Sequence, residues 1–183
     1  MRRRDKQAVC LLVIIIAILS FLFTNIRGLG YYIEIVIFIG IHYIITMGLC
    51  LLMGFAGQIS LGHAAFYGLG AYFSGVLTTQ FGLSPLQAMI IGMVATGLIA
   101  FLVGIPCLQL KGHYLAMATL GLGVIVYVIF NELIPLTGGP SGLGNIPPMK
   151  ILGISFSSAI RFYFLVWAVA ILLLIFSLNL IYS

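Results

Sequence analysis

The stretch IVIFIGIHYIITMGLCLLMGFAGQISLGHAAFYGLGAY, residues 35–72, opens a long interval without charge. Residues 35–110 contain no Asp, Glu, Lys or Arg. A run of about 20 apolar residues spans the hydrocarbon core of a bilayer, so this interval has room for three crossings and their turns. Only 6% of the residues in the chain are charged, against about 25% in a soluble domain. The sequence therefore predicts an all-α fold, a polytopic transmembrane helical bundle forming a single membrane-spanning domain over residues 1–183.

Six apolar segments, separated by short polar or Gly/Pro-rich breaks, are the predicted membrane segments. They cover residues 8–26, 31–55, 61–81, 86–110, 113–134 and 161–181. The third segment is rich in glycine, which tolerates unusual backbone conformations. We expect this segment to be bent or broken, or to begin with non-helical chain.

Basic residues set the predicted orientation, because Lys and Arg favour the cytoplasmic side of a membrane. With a cytoplasmic N-terminus, the basic residues on the inside are Arg2, Arg3, Arg4, Lys6 and Lys111. Those on the outside are Arg27, Lys150 and Arg161. A cleaved signal peptide is the alternative, but no small-x-small cleavage site follows the first apolar run. We expect an uncleaved first helix and a multi-pass protein.

Residues 54–72, GFAGQISLGHAAFYGLGAY, place an amide, hydroxyl and imidazole between apolar runs, at Gln58, Ser60 and His63. Two interpretations are open. Polar groups and unwound backbone are tolerated at membrane depth where protein or a water-filled cavity satisfies them, and broken helices hold polar substrates in this way. Alternatively, the stretch is a cytoplasmic turn in which Gln58 and Ser60 cap the next helix.

Residues that carry chemistry are sparse. The acidic residues are widely separated, at Asp5, Glu34 and Glu132. The histidines are also dispersed, at His42, His63 and His113. Neither paired carboxylates for acid–base catalysis nor metal-ligand spacings occur. We therefore predict no enzyme activity, no catalytic residue, no metal and no cofactor bound by this chain, and no nucleic-acid partner. Glu34 and Glu132 are expected at a solvated membrane edge, with guidance of a charged solute as the alternative role.

The segment TGGPSGLGN, residues 137–145, has only a superficial likeness to a phosphate-binding loop. A Walker A motif continues with Gly-Lys-Ser/Thr after its four-residue interval. Here Asn145 and Ile146 follow Gly144, so no lysine is available for a phosphate. We expect a turn-rich surface loop, or a loop that contacts a partner.

Small residues recur every four positions in two predicted helices. The rows are Gly92, Thr96, Ala100 and Gly104, and Ala64, Gly68, Ala71 and Gly75. Small residues let helix backbones approach each other in lipid, so both rows predict helix–helix contacts within the bundle or with a partner.

The cysteines lie in apolar runs without a CxxC pair and are expected to be buried free thiols: Cys10, Cys50 and Cys107.

Three blocks of sequence resemble the membrane permease subunits of bacterial branched-chain amino-acid ABC importers, specifically the M-type subunit. The first block is GQISLGHAAFYGLGAY, residues 57–72, and contains Gly57, Gly62, Gly68 and Gly70. The second is LKGHYLAMATLGLG, residues 110–123, and contains Gly112, Tyr114, Thr119 and Gly121. The third is LTGGPSGLGNIP, residues 136–147, and contains Thr137, Gly138, Gly139 and Gly142.

The resemblance implies a translocation path for branched-chain amino acids across the bacterial inner membrane. It also implies a related second permease subunit, cytoplasmic ATP-binding subunits that hydrolyse ATP, and an extracytoplasmic substrate-binding protein. We expect Gln58, Ser60 and His63 to line or shape the path, while the first-block glycines permit its backbone geometry. The alternatives are a urea or short-amide permease of the same family, a passive channel, and a scaffold subunit without a path.

The resemblance also implies further sequence in a complete subunit. Related permeases continue with a cytoplasmic segment that docks on the ATPase, and then with more helices. The segment SLNLIYS, residues 177–183, stands where that docking segment is expected to begin. We therefore expect this sequence to be the N-terminal part of a permease, unable to couple to an ATPase by itself.

Overall fold

The computed structural model describes residues 14, 16, 30–107, 109–110, 112–151 and 154–181. The α-helices from residue 30 onward are α1 (Gly30–Gly54), α2 (His63–Thr79), α3 (Pro85–Cys107), α4 (His113–Glu132), α5 (Ile134–Thr137) and α6 (Ala159–Ile181). A 3-10 turn follows α5 at Gly139–Ser141, and two short strands, β1 (Lys150–Ile151) and β2 (Ile154–Ser155), precede α6. The strands pair antiparallel, with Lys150 opposite Ser155.

Four of the described helices are long and apolar enough to cross a membrane: Tyr32–Gly54, Pro85–Cys107, His113–Glu132 and Ala159–Ile181. The predicted class, a helical membrane bundle, is thereby confirmed. Helix α2 is shorter, with 17 residues, which lies at the lower limit of spanning length. The predicted crossing at 8–26 lies outside the described residues except for Ile14 and Ile16, as do the N-terminal arginines and Lys111.

The third predicted segment begins with non-helical chain, as its glycine content suggested. Residues 55–62 connect α1 to α2 without helix, and we call them the polar loop. Gly57 in this loop has φ +63°, a left-handed conformation that glycine adopts without steric cost. The backbone N–H of Gln58 then reaches back to the carbonyl of Leu52 at 3.3 Å.

The turn between α2 and α3 shows why α3 begins at Pro85. Gly82 has φ +65°, and Ser84 follows it as the N-cap residue. The Gln87 N–H donates to Ser84 Oγ at 3.4 Å, and the Ser84 hydroxyl donates to Gln87 Oε1 at 2.8 Å. Proline at the first helical position loses no hydrogen bond, because that N–H has no partner within the helix.

The chain divides into two compact units, and the first contains residues 1–51 and 156–183. In this unit α1 packs against α6 around Ile33, Ile37, Tyr163 and Val166, which are buried together with Ile16. Tyr163 is fully buried, and its hydroxyl donates to the carbonyl of Ile16 at 2.8 Å. The buried phenol therefore has the hydrogen-bond partner that such a group requires.

The second unit, residues 52–155, is built around α2. Helix α3 runs antiparallel to α2, since Gly92 approaches Ser74 while Thr96 approaches the earlier residue Gly70. A side chain added at Gly92 would place its Cβ 3.2 Å from the backbone nitrogen of Ser74. Close approach of this kind is what small residues permit between membrane helices.

Helix α4 lies along α2 in the same direction. Gly62, just before α2, approaches Thr119, and Gly68 lies against the ring of Phe130 further along both helices. The rings of Phe130 and Tyr72 are in contact, with centroids 4.2 Å apart. The first and second sequence blocks thus meet at the start of α2, and Gly75 near its end lies against Leu143 of the third block.

Candidate functional site

The polar loop is fixed to α4 by Thr119. The Leu61 N–H donates to Thr119 Oγ1 at 3.0 Å, and the Thr119 hydroxyl donates to the carbonyl of Ala116 at 3.0 Å. Thr119 is only 8% exposed, so these bonds lie out of solvent. At Gly62 any side chain would overlap the backbone carbonyl of Thr119. The Thr119 hydroxyl on α4 and the absence of a side chain at Gly62 therefore fix the position of the polar loop.

The capping interpretation of the polar loop is wrong. Helix α2 begins at His63, so the N-cap position falls on Gly62, and no side chain caps the helix there. Gln58 and Ser60 lie too early in the chain to take that position. Both residues instead line a cavity.

This cavity has a volume of about 190 Å³ and lies between the polar loop, α2, α3 and α4. Its polar lining consists of Gln58, Ser60 and Thr119. The remaining lining is apolar or weakly polar: Leu52, Ile59, Phe66, Ala100, Val103, Gly104, Cys107, Leu115 and Leu122. None of these described lining residues is charged. An engineered apolar cavity of about 150 Å³ holds benzene, so the space is sufficient for an aliphatic side chain.

The remaining first-block residues act on the backbone or on packing. His63 starts α2, is half-buried and does not belong to the cavity lining. Gly57 provides the left-handed turn, and Gly62 the close approach to Thr119. A Cβ at Gly68 would lie 3.1 Å from the Phe130 ring, and one at Gly70 would lie 3.7 Å from Thr96 Oγ1.

The second block contributes one side chain to the site. Gly112 is the N-cap of α4, with φ +57°. Tyr114 is 74% exposed, and a Cβ at Gly121 would meet nothing within 4 Å. Of the four second-block residues expected to matter, Thr119 alone contacts the polar loop.

The third block forms a compact turn at the far end of α4, which we call the Thr-Gly-Gly turn, residues 137–142. The Thr137 hydroxyl lies 2.6 Å from the carbonyl of Phe130 and 2.9 Å from that of Leu133, and it accepts the Gly139 N–H at 3.1 Å. Thr137 is 5% exposed. At Gly138, with φ +75°, a side chain would overlap the carbonyl of Gly142. The turn is therefore organised by its own hydrogen bonds, with Pro140 and Ser141 exposed.

Helix α5, which leads into the Thr-Gly-Gly turn, is linked to the end of α2. The Gln80 side-chain amide donates to the carbonyls of Pro135 and Leu136, at 2.9 and 3.2 Å. Sequence reasoning did not single out Gln80. Its partners lie 55 and 56 residues away, and no local pattern indicates a pairing at that separation.

Two further cavities lie along the contact between α2 and α4. Their volumes are about 410 and 200 Å³, and both are lined by Phe130. Their other lining residues are mostly apolar, with Tyr127 in the larger cavity and Tyr72 and Thr137 in the smaller. The cavity at Gln58 and Ser60 differs from these two in having polar residues of the polar loop in its lining.

The row of small residues on α3 divides into two parts. Gly92 packs tightly on α2, whereas Ala100 and Gly104 line the 190 Å³ cavity. The four-residue spacing identified the correct helix face but did not distinguish packing from open space.

Cys107 also lines the cavity and is half-buried, and Cys50 is exposed. The expectation that these thiols are buried is therefore wrong for Cys50.

Comparison with known proteins agrees with the three blocks. Residues 31–183 match the family described as branched-chain amino acid transport system / permease component. Over 156 residues the chain is 32% identical to the high-affinity branched-chain amino acid transport system permease protein LivM of Salmonella typhimurium, and 33% identical to LivM of Escherichia coli. No solved structure matches the chain.

The matched region covers 85% of this chain and 36% of each LivM protein. The chain thus spans about a third of the length of these curated relatives. The family match includes all three sequence blocks and every described helix from α2 to α6. Members of this family are transport subunits, not enzymes, and are embedded in the membrane. The chain belongs to the family of branched-chain amino acid transport system permeases.

Proposed function

We propose that this chain is a membrane-spanning permease subunit of an ATP-driven importer, and that it forms part of the translocation path for branched-chain amino acids across the bacterial inner membrane. The observation that carries this proposal is the 190 Å³ cavity, where Gln58 and Ser60 of the first block meet Thr119 of the second. The names of the two LivM relatives support the substrate class.

The lining of the cavity suits this substrate. A branched-chain amino acid carries an ammonium and a carboxylate beside an aliphatic side chain. The Gln58 amide both donates and accepts hydrogen bonds, as does the Ser60 hydroxyl. The Thr119 hydroxyl is already bonded to Leu61 and Ala116 and holds the polar loop in place. Leu115 and Leu122 provide apolar surface in the same cavity. Neutral dipoles bind the charged ends without the strong attraction of a fixed charge, and a path must release its solute as well as admit it.

The proposed importer includes partners beyond this chain. ATP hydrolysis takes place on separate cytoplasmic ATP-binding subunits, and an extracytoplasmic binding protein delivers the solute. A related second permease subunit completes the path, with the N-terminus of this chain in the cytoplasm. Large apolar side chains such as Phe101 and Leu102 on α3 are exposed, and lipid or that second subunit covers them.

Alanine substitutions in the intact transporter test the path. We expect the combined changes Gln58→Ala and Ser60→Ala to reduce leucine uptake by about tenfold or more, as expected when polar groups that recognise a substrate are lost. The matched control is Gln109→Ala with Ser141→Ala, since both residues are exposed and neither lines the cavity. Uptake is measured per assembled complex. Unchanged uptake would assign Gln58 and Ser60 a purely structural role.

His63→Ala is a useful intermediate case, because His63 belongs to the first block but not to the cavity lining. Loss of uptake in this variant without loss of assembly would extend the path beyond the cavity.

Two conditions then test the class of transporter and the solute. ATP depletion is expected to abolish leucine uptake, and survival of uptake would instead indicate a passive channel. Competition by excess urea or acetamide, with none by valine, would indicate an amide permease.

A further inference from the structure

Gly104 is a cavity-lining glycine with open space where its side chain would be. It lies on α3 and lines the cavity, and a Cβ added there would meet nothing within 4 Å. Gly92, in the same row of small residues, is different, because a Cβ there would lie 3.2 Å from the Ser74 nitrogen. Gly92 permits helix packing, whereas Gly104 has no neighbour that requires a glycine.

The surroundings of Gly104 are apolar. Phe66, Ala100 and Val103 line the same cavity. The polar lining comes from the loop and from Thr119, so the space combines hydrogen-bonding groups with an apolar wall. Since none of the described lining residues is charged, a ligand with a third, side-chain charge would lose its hydration without gaining a counter-charge. The lining therefore favours an α-amino acid with a neutral aliphatic side chain.

We propose that Gly104 determines the upper size of the amino-acid side chain that the cavity accepts. This inference rests on the proposed function. The space beside Gly104 admits the isobutyl side chain of leucine, and a side chain at position 104 occupies that space. A methyl or isopropyl group introduced there excludes leucine before it excludes alanine.

Uptake by the complete transporter carrying Gly104→Ala or Gly104→Val tests the proposal. One methylene in an apolar pocket changes discrimination by roughly tenfold or more. We therefore expect the leucine-to-alanine ratio of kcat/KM to fall by about tenfold in Gly104→Val and by less in Gly104→Ala, while alanine uptake persists. Gly97→Ala and Gly97→Val are the matched controls, because Gly97 is exposed on the same helix and has equally open surroundings.

An unchanged ratio in the Gly104 variants would overturn the inference, as would an equal change in the Gly97 variants. These outcomes are distinct from failure of the proposed function. If the wild-type transporter shows no ATP-dependent leucine uptake, the proposed function fails. If wild-type uptake is normal and the Gly104 variants keep its selectivity, only the inference about Gly104 fails.

Cys107 provides a measurement that does not depend on uptake. It lines the same cavity, whereas Cys50 is exposed and lies outside it. In transporter carrying Cys10→Ser, we expect leucine to slow modification of Cys107 by a methanethiosulfonate reagent several-fold, with no effect at Cys50. In Gly104→Val, protection by leucine is lost while protection by alanine remains. Failure of leucine to protect Cys107 in the Cys10→Ser transporter with Gly104 unchanged would place the ligand elsewhere and overturn the inference.

Discussion

The two ends of α2 contain similar residues used in different ways. Before the helix, the amide of Gln58 and the hydroxyl of Ser60 line a cavity. After the helix, the amide of Gln80 is engaged by the carbonyls of Pro135 and Leu136. Both ends also contain glycines with positive φ, at Gly57 and Gly82. Composition alone would therefore assign the two ends the same role.

The difference lies in where the polar groups find partners. In the Thr-Gly-Gly turn, the Thr137 hydroxyl bonds to the carbonyls of Phe130 and Leu133 at the end of α4 and accepts the N–H of Gly139. In the polar loop, one threonine hydroxyl fixes the backbone at Leu61, and two polar side chains remain for the cavity. At the far end of α2 the amide of Gln80 is bonded within the chain. The half-buried Gln58 and Ser60 instead line a cavity, and under the proposed function they are available to a solute.

The largest effect is expected from Gly62→Ala. Its methyl group would overlap the Thr119 carbonyl, and the backbone of α4 cannot rotate away as a side chain can. We expect a loss of about 3 kcal/mol in unfolding free energy, measured by denaturant unfolding in detergent. Gly97→Ala, on an exposed and open face of α3, serves as the control with little or no loss. Wild-type stability of Gly62→Ala would show that the polar loop is not held against α4.

Separate valine substitutions at Thr119 and Thr137 distinguish the roles of the two ends of α2. We expect Thr137→Val to cost about 2–3 kcal/mol of stability, because buried carbonyls and an N–H lose their partner, and Thr119→Val about 1–2 kcal/mol. Only Thr119→Val should also lower leucine uptake per assembled transporter, with recovery in Thr119→Ser. Equal losses of uptake in both valine variants would break the comparison.

The smallest effect is expected from Gln80→Ala. Gln80 is exposed, and its two hydrogen bonds go to backbone carbonyls. We expect a loss of about 1 kcal/mol and leucine uptake per assembled transporter close to wild type. The same unfolding and uptake measurements apply. A loss of uptake as large as that of the Gln58 and Ser60 variant would give the far end of α2 a direct role in transport.

Much of the fold could be predicted from composition and local pattern. The charge-free interval indicated successive membrane helices, and the glycines of the third segment indicated non-helical chain before it. The alternative interpretation, in which Gln58 and Ser60 cap α2, required the helix to begin directly after these residues, whereas it begins at His63, after Gly62. Where a helix begins in this region depends on its contact with α4, which local sequence does not contain.

The site was only partly predictable for a related reason. Gln58, Ser60 and Thr119 could be identified within the family blocks, but the bond from Leu61 to Thr119 joins residues 58 apart. Gly104 lay in a row predicted to pack against another helix. A glycine in a tight contact and a glycine beside open space have the same periodicity, and only the three-dimensional arrangement distinguishes them.

The length of α2 connects this site to the lipid around it. With 17 residues at about 1.5 Å each, α2 spans about 25 Å, some 5 Å less than a typical hydrocarbon core of about 30 Å. Helix α3, with 23 residues, has no such deficit. A helix shorter than the hydrocarbon core is accommodated by local thinning of the bilayer or by its flanking residues. We therefore expect bilayer thickness to influence the depth, and with it the hydration, of Gln58 and Ser60.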